Sequence, residues 1–98
     1  MTNIQKHGDE AIELVINELA AASAVNGAFH SAHEGLAVIH EEFDELKDEV
    51  WLKERDRIPE NMIKEAKQLA AMGLRFLIDV ALPFRDSRSE FYPKPKVS

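Results

Sequence analysis

The sequence contains no cysteine and little glycine or proline, and each of these absences narrows the possible folds. Without cysteine, the 98-residue chain can form neither a disulfide framework nor a thiolate metal site. Four glycines and four prolines are few interruptions, which favours long helices. With 45% hydrophobic residues, the chain is expected to form a single domain, 1–98, with a limited core.

Long apolar runs and an excess of positive charge are also lacking. No stretch approaches the roughly 20 apolar residues that span a membrane. The polar start, Met1 to Lys6, lacks the apolar region of a signal peptide, so we expect a cytoplasmic protein with no membrane partner. Eighteen acidic residues against 12 Lys and Arg give a net charge of −6, which argues against a nucleic-acid polymer as partner. A small phosphorylated ligand stays compatible, because metal ions mask local repulsion.

Helical spacing of apolar residues predicts two helices in the first half of the chain. The first covers 8–25, and Asn26-Gly27 is a suitable stop because glycine accepts the left-handed conformation of a helix C-cap. The second begins at Ser31, whose side chain can cap the amide of Glu34 while Glu34 reaches back in a capping box. It is predicted to run to Leu52.

A third helix follows a charged connection. Pro59 suits its first turn, and Pro83 should end it after Leu82. The remaining segment, 84–98, has no periodicity and is predicted to be an irregular tail.

The third helix is apolar around almost its whole circumference between 66 and 82. Such a helix is normally buried on all sides, which three helices of one small chain cannot achieve. Either a partner subunit or the tail covers the remaining face, and symmetric association is the common solution. The predicted fold is therefore all-α, an antiparallel helical bundle of three main helices plus an irregular C-terminal tail, completed by oligomerisation.

Four oxygen-bearing side chains are predicted to meet between the second and third helices. If these helices fold back antiparallel around a turn near Arg55, Glu45 faces Glu65 and Glu42 faces Gln68, because each pair has the same sum of residue numbers. Three carboxylates and a carboxamide at one level are the hard oxygen ligands that Mg²⁺ prefers.

The alternative is a solvated acidic seam, since glutamates are common on exposed helix faces. Glu42, Glu45 and Glu49, however, border the apolar stripe of their helix. Carboxylates beside a core repel one another unless a cation lies between them, which favours the metal site. Glu34 is explained by its capping position.

Other candidates are weaker. His30, His33 and His40 lack the i, i+4 spacing of a zinc helix and are best explained as polar surface residues. Arg75, two turns beyond Gln68, could bind a phosphate or pair with a carboxylate. Two aromatic residues could stack on a base, although packing is the more common use: Phe29 and Trp51.

The order Glu41-Glu42-x-x-Glu45-Leu46, a linker, and Glu65-x-x-Gln68 in an alanine-rich helix resembles the MazG-like all-α nucleoside triphosphate pyrophosphohydrolases of phages and bacteria. The resemblance covers about residues 29–80, and its motif, E-x-x-E followed by E-x-x-D, is moderately specific. It implies Mg²⁺ ligands at Glu42, Glu45 and Glu65, with Mn²⁺ as the alternative ion. The fourth ligand, normally aspartate, falls on Gln68, which removes one negative charge. Asp79 cannot replace it, because eleven residues along a helix span about 16 Å.

The resemblance also implies a function. A nucleoside triphosphate would be hydrolysed to the monophosphate and pyrophosphate, with Glu41 or Glu45 as the catalytic carboxylate that orients water and Arg75 as a substrate-binding residue. Family members complete the site by association of subunits, so a homodimer or homotetramer is expected. The alternative, favoured by Gln68, is a non-catalytic helical module that binds nucleotides or proteins. A third interpretation is a purely structural helical dimer.

Overall fold

The structure, a computed structural model, describes residues 1–88, and positions 89–98 lie outside it. Within residues 1–88 every regular element is helical, which confirms the all-α class. The elements are α1 (Asn3–Asn26), α2 (Ala32–Val50), a 3₁₀ turn (Glu54–Asp56), α3 (Pro59–Phe76), a π-helical segment (Leu77–Ala81) and α4 (Leu82–Ser87). None of the helices in this part of the chain is long and apolar enough to cross a membrane.

The first helix begins earlier than its apolar spacing predicts. Helix α1 starts at Asn3 instead of Gly8, because Thr2 and Gln5 form a capping box. The Gln5 N–H donates to Thr2 Oγ1 at 3.2 Å, and the Thr2 N–H donates to Gln5 Oε1 at 2.8 Å. The predicted stop is confirmed, since α1 ends at Asn26 and Gly27 has a φ of 66°.

Ser31 caps the second helix as predicted. The Glu34 N–H donates to Ser31 Oγ at 3.1 Å. The Glu34 carboxylate, however, accepts from the His30 N–H at 3.4 Å, so the reciprocal bond of the predicted capping box is displaced by one residue. Helix α2 ends at Val50, two residues before the predicted Leu52.

Pro59 opens α3 as predicted, but Pro83 does not end the helical path. The chain passes through the π-helical segment, in which the Leu82 N–H bonds to the Leu77 carbonyl, and continues as α4 to Ser87. Proline has no backbone N–H and so cannot donate the i→i−4 hydrogen bond of an α-helix. Where a π-helical segment already interrupts these bonds, a proline removes no regular bond and the helix can continue beyond it. The predicted irregular tail, 84–98, is therefore wrong for 84–87, and positions 89–98 lie outside the described residues.

Helix α3 is the central element, because both α1 and α2 pack along it. At one end of the contact between α2 and α3, Gly35 lies against Phe76. At the other end, Glu45 lies with Glu65. The buried core is small and consists of Phe29, Ala71 and Met72, flanked by partly buried residues: Val15, Leu19, Ala22, Val38, Ile39, Phe76 and Val80.

The described chain is extended for its size. Its radius of gyration is 16.3 Å, whereas about 12–13 Å is typical of a compact domain of this length. Helix α2 leaves Leu36, Phe43 and Val50 between 39 and 62% exposed. These residues are seven apart and so lie on one side of the helix. A long apolar face is therefore left uncovered by residues 1–88.

Gly35 permits the close contact of α2 with α3, and its replacement by alanine should destabilise the protein. A Cβ at this position would lie 2.7 Å from Phe76 Cδ2 and 3.1 Å from Phe29 Cδ2. We expect a loss of about 1–3 kcal/mol in the free energy of unfolding from overpacking, measured by urea denaturation. Gly8→Ala is the control: its Cβ would meet only Ile4 at 3.7 Å, so it should stabilise by up to about 1 kcal/mol. Equal stabilisation by both variants would contradict this account of the helix contact.

Candidate metal centre

Three carboxylates from two helices meet at the end of the α2–α3 contact. Glu42, Glu45 and Glu65 each offer an oxygen, and these oxygens lie within 4.8 Å of one another. Glu42 and Glu45 are three residues apart on α2, which places them on one face of the helix. Glu42 and Glu65 are half-buried, and Glu45 is exposed. We call these three residues the acidic cluster.

Gln68 adjoins the acidic cluster, so the structure brings together all four residues that the sequence places at this level. The carbonyl oxygen of its amide faces only hydrogen-bond acceptors. Rotation of the amide lets its nitrogen donate to Glu42 Oε2 at 3.3 Å and to Glu65 Oε2 at 3.2 Å. The first orientation suits a cation shared with the carboxylates, whereas the second relieves their repulsion without one.

Glu42 and Glu65 of the acidic cluster resist ionisation. Partial burial, together with the charges of Glu45, Glu65 and Glu41, raises the pKa of Glu42 from 4.5 to about 7. Burial and the neighbouring Glu45 carboxylate also raise the pKa of Glu65, against the opposing charge of Lys64. Burial is the largest cause of both shifts, and the neighbouring carboxylates, which share the site without a counter-ion, add to it.

The donor set fits a hard divalent cation. Magnesium binds oxygen ligands at about 2.1 Å in octahedral geometry, which places its ligand oxygens about 3–4.2 Å apart. Oxygens within 4.8 Å of one another can reach this arrangement by small rotations of the glutamate side chains. No histidine of residues 1–88 joins the acidic cluster, so the site lacks the nitrogen ligands typical of zinc.

A cavity of about 700 Å³ adjoins the acidic cluster between the three long helices. Glu42 and Gln68 lie on its wall, together with Glu41, which is exposed. The wall also contains residues of α1, the α1–α2 connection and the rest of α2 and α3: Glu18, Ala21, Ala22, Val25, Asn26, Phe29, Glu34, Val38, Met72 and Arg75. Its volume falls within the range of small-molecule sites, about 300–1,000 Å³.

Arg75 is buried in the cavity wall, with only 4% of its surface exposed. Its Nε lies 3.8 Å from Asp79 Oδ2, so it pairs with a carboxylate, one of the two roles that the sequence allows. Its guanidinium carbon lies 4.5 Å from the centroid of the Phe29 ring. This burial is compatible with the other role, ligand binding, because Arg75 also faces the cavity.

The remaining sequence candidates lie away from the acidic cluster. The three histidines near α2 are exposed, as predicted: His30, His33 and His40. Phe29 is 7% exposed and packs in the core, which is the predicted common use of an aromatic residue. Trp51 is 79% exposed, so packing does not explain it, and Lys47 Nζ lies 5.4 Å from its ring centroid.

The contribution of α1 and its connection to the cavity was missed by sequence reasoning. Glu18 and Asn26 line the cavity, and Asp79 Oδ2 accepts a hydrogen bond from the Phe29 N–H at 3.0 Å. That bond joins residues 50 positions apart. Neither periodicity nor a motif could reveal it, because it depends on how the connection folds over α3.

Comparison of the chain with models of protein families, with curated proteins and with solved structures finds no match. The resemblance to the MazG-like family therefore stays a prediction based on the residues quoted above.

The raised pKa of Glu42 predicts that pH affects the stability of the metal-free protein. A carboxyl group whose folded pKa exceeds its unfolded value favours folding fully below the unfolded value, and this contribution is lost as pH rises. Stability should therefore fall as pH rises from about 4.5 to about 7. We expect thermal unfolding in EDTA to show a steeper fall for wild type than for Glu42→Gln. The exposed Glu10→Gln variant should behave like wild type, and parallel curves for wild type and Glu42→Gln would refute the assignment.

Proposed function

We propose that this chain is a cytoplasmic, homo-oligomeric, Mg²⁺-dependent nucleoside triphosphate pyrophosphohydrolase. The observation that carries the proposal is the acidic cluster, three carboxylates within 4.8 Å beside a cavity of about 700 Å³. The resemblance of the same residues to the MazG-like motif also supports it. The products would be a nucleoside or deoxynucleoside monophosphate and pyrophosphate.

The metal would be held by Glu42, Glu45 and Glu65, with the carboxamide oxygen of Gln68 as a fourth, neutral ligand. Mn²⁺ also accepts such oxygen ligands. When bound, the ion supplies charge neutralisation for the triphosphate and polarises its phosphoryl oxygens. The raised pKa values of Glu42 and Glu65 support this assignment, because a cation would remove the repulsion that causes part of the shift.

Side chains of the protein accept the proton of the attacking water and attract the anionic substrate. Glu41 lines the cavity next to Glu42 and is exposed. Its carboxylate can therefore accept a proton from a water that attacks phosphorus. Glu45, the exposed member of the acidic cluster, can orient the same water. Arg75 supplies a positive charge on the cavity wall that attracts an otherwise repelled anion.

A second function is favoured by Gln68. Its amide, when rotated, donates to both Glu42 and Glu65 and so stabilises the acidic cluster without an ion. A chain that keeps the fold and the cavity but binds nucleotides or proteins without hydrolysis is the alternative proposal.

Self-association is proposed from the exposed apolar face. Helix α2 contributes Leu36, Phe43 and Val50, and α3 with its continuation contributes Ile63 and Leu77, which are 48 and 46% exposed. The spacing of seven residues on α2 is that of helices that pair with helices of another subunit. A second copy on this face would complete the antiparallel bundle as a dimer, and pairs of dimers would give a tetramer.

Metal affinity should follow the charge of the acidic cluster. Gln68→Asp adds a charged oxygen ligand and should bind Mg²⁺ more tightly than wild type, whereas Glu45→Gln should bind it more weakly. Calorimetric titration of Mg²⁺ measures both effects, and Glu10→Gln controls for the change of net charge. Three indistinguishable isotherms for wild type, Gln68→Asp and Glu45→Gln would show that the acidic cluster is only surface charge.

Hydrolysis itself separates the two proposed functions. Purified protein with Mg²⁺ and a panel of nucleoside triphosphates should release pyrophosphate, and Glu45→Gln should reduce the rate. Nucleotide binding without pyrophosphate release, in both wild type and Gln68→Asp, would favour the non-catalytic module.

The mass in solution tests the assembly. At micromolar concentration, light scattering should give at least twice the 11.1 kDa of one chain. Leu36→Lys should reduce the mass, because it places a charge in the proposed apolar interface. Ile4→Lys is the matched control, since Ile4 is also exposed but lies outside this face. A wild-type mass near that of one chain would refute the assembly.

A further inference from the structure

Arg75 has unused hydrogen-bond donors that open onto the cavity. A guanidinium carries five N–H groups, but the contacts of Arg75 within residues 1–88 are the 3.8 Å ion pair with Asp79, a 4.0 Å contact of one terminal nitrogen with Met72 Sδ, and the Phe29 ring. None is a hydrogen bond to oxygen. No fully buried side-chain nitrogen in this part of the chain lacks a partner, so the terminal nitrogen of Arg75 without a hydrogen bond keeps some accessible surface, and Arg75 lines the cavity.

Arg75 and Gln68 lie about two helical turns apart on the cavity wall. Arg75 is seven residues beyond Gln68 on α3, and both line the cavity. Seven residues correspond to a rise of about 10 Å along the helix. A nucleotide whose phosphates lie at the acidic cluster can place its base this far along the cavity.

We propose that Arg75 is the specificity-determining residue of a nucleobase pocket, a role that rests on the proposed function. Asp79 pairs with the Nε side of the guanidinium and Phe29 covers one of its faces, which leaves N–H groups on both terminal nitrogens as a fork; one of these nitrogens also contacts Met72 Sδ. The apolar side chains of Val25 and Val38 line the cavity beside it and provide a wall for a flat ring.

A fork of N–H donors selects bases with two adjacent acceptors on one edge. Cytosine offers N3 and O2, and guanine offers O6 and N7. Uracil and thymine place an N–H between their carbonyl groups, and adenine has its amino group between the acceptors N1 and N7, so none of these bases presents two adjacent acceptors on that edge. The pocket should therefore prefer cytosine and guanine nucleotides.

The test compares binding of Mg²⁺ complexes by calorimetry. The probes are non-hydrolysable analogues of dCTP, dUTP, dGTP and dATP, together with inorganic tripolyphosphate, which has no base. Wild type should bind the dCTP analogue at least about fivefold more tightly than the dUTP analogue, and the dGTP analogue at least about fivefold more tightly than the dATP analogue. This ratio is the lower end of the discrimination that one bidentate contact gives. Arg75→Lys keeps the charge beside Asp79 but loses the fork, so it should abolish the preference by weakening binding of the cytosine and guanine analogues more than binding of tripolyphosphate. Arg55→Lys, at an exposed arginine, should match wild type.

A second variant is needed because the lysine of Arg75→Lys could still donate one hydrogen bond to the base. The double change Arg75→Met with Asp79→Asn removes both charges, leaves no unpaired buried charge, and keeps an oxygen to accept the Phe29 N–H. It should also lose the preference.

Two results would overturn the inference while leaving the proposed function intact. One is equal affinity of wild type for all four analogues, and the other is an equal loss of affinity for tripolyphosphate and nucleotides in Arg75→Lys, which would make Arg75 a phosphate contact. If neither tripolyphosphate nor any nucleotide binds, the proposed function itself is wrong and the inference falls with it.

Discussion

The close approach of α2 to α3 at Gly35 sets the separation of the two helices that carry the acidic cluster. Two aromatic rings occupy the space that a Cβ at Gly35 would need, and they belong to Phe76 and Phe29. Because close-packed interiors transmit small shifts, the same contact also fixes how far Glu45 stands from Glu65 at the other end of α2. Phe29 in turn covers Arg75. The core, the acidic cluster and the cavity wall thus depend on one aromatic contact.

The acidic cluster opposes the stability that this contact provides. Burial of Glu42 beside two other carboxylates raises its pKa to about 7, so near neutral pH its ionised form weakens the fold. Perturbed groups of this kind are more frequent at functional sites than elsewhere, because selection keeps them for chemistry. The core of Phe29, Ala71 and Met72 is small, so the proposed cation and second copy, if bound to the folded chain alone, would each raise its stability.

The parts of the fold that could be predicted are those encoded by local chemistry. Ser31, Gly27 and Pro59 each mark a helix boundary by a mechanism that involves only a few neighbours, and the structure has those boundaries. The proximity of Glu45 and Glu65 could be predicted by counting residues along two helices that fold back on each other. Pro83 was misleading, since its usual effect assumes regular α-helical bonding, and the π-helical segment removes that assumption. The Asp79–Phe29 hydrogen bond could not be predicted, because it closes a loop of 50 residues.

The π-helical segment has a consequence for the lengths of chain that this fold can accept. A π turn places one residue more in the helix than regular winding would, and each residue turns an α-helix by about 100°. Loss of one residue between Leu77 and Ala81 would therefore rotate α4 by a large angle and return Pro83 to a regular ladder that it cannot complete. The connection between α2 and α3 carries no such restriction, because surface loops accept changes in length at little energetic penalty. Insertions and deletions should therefore be far more frequent near Arg55 than around Asp79 among chains that share this architecture.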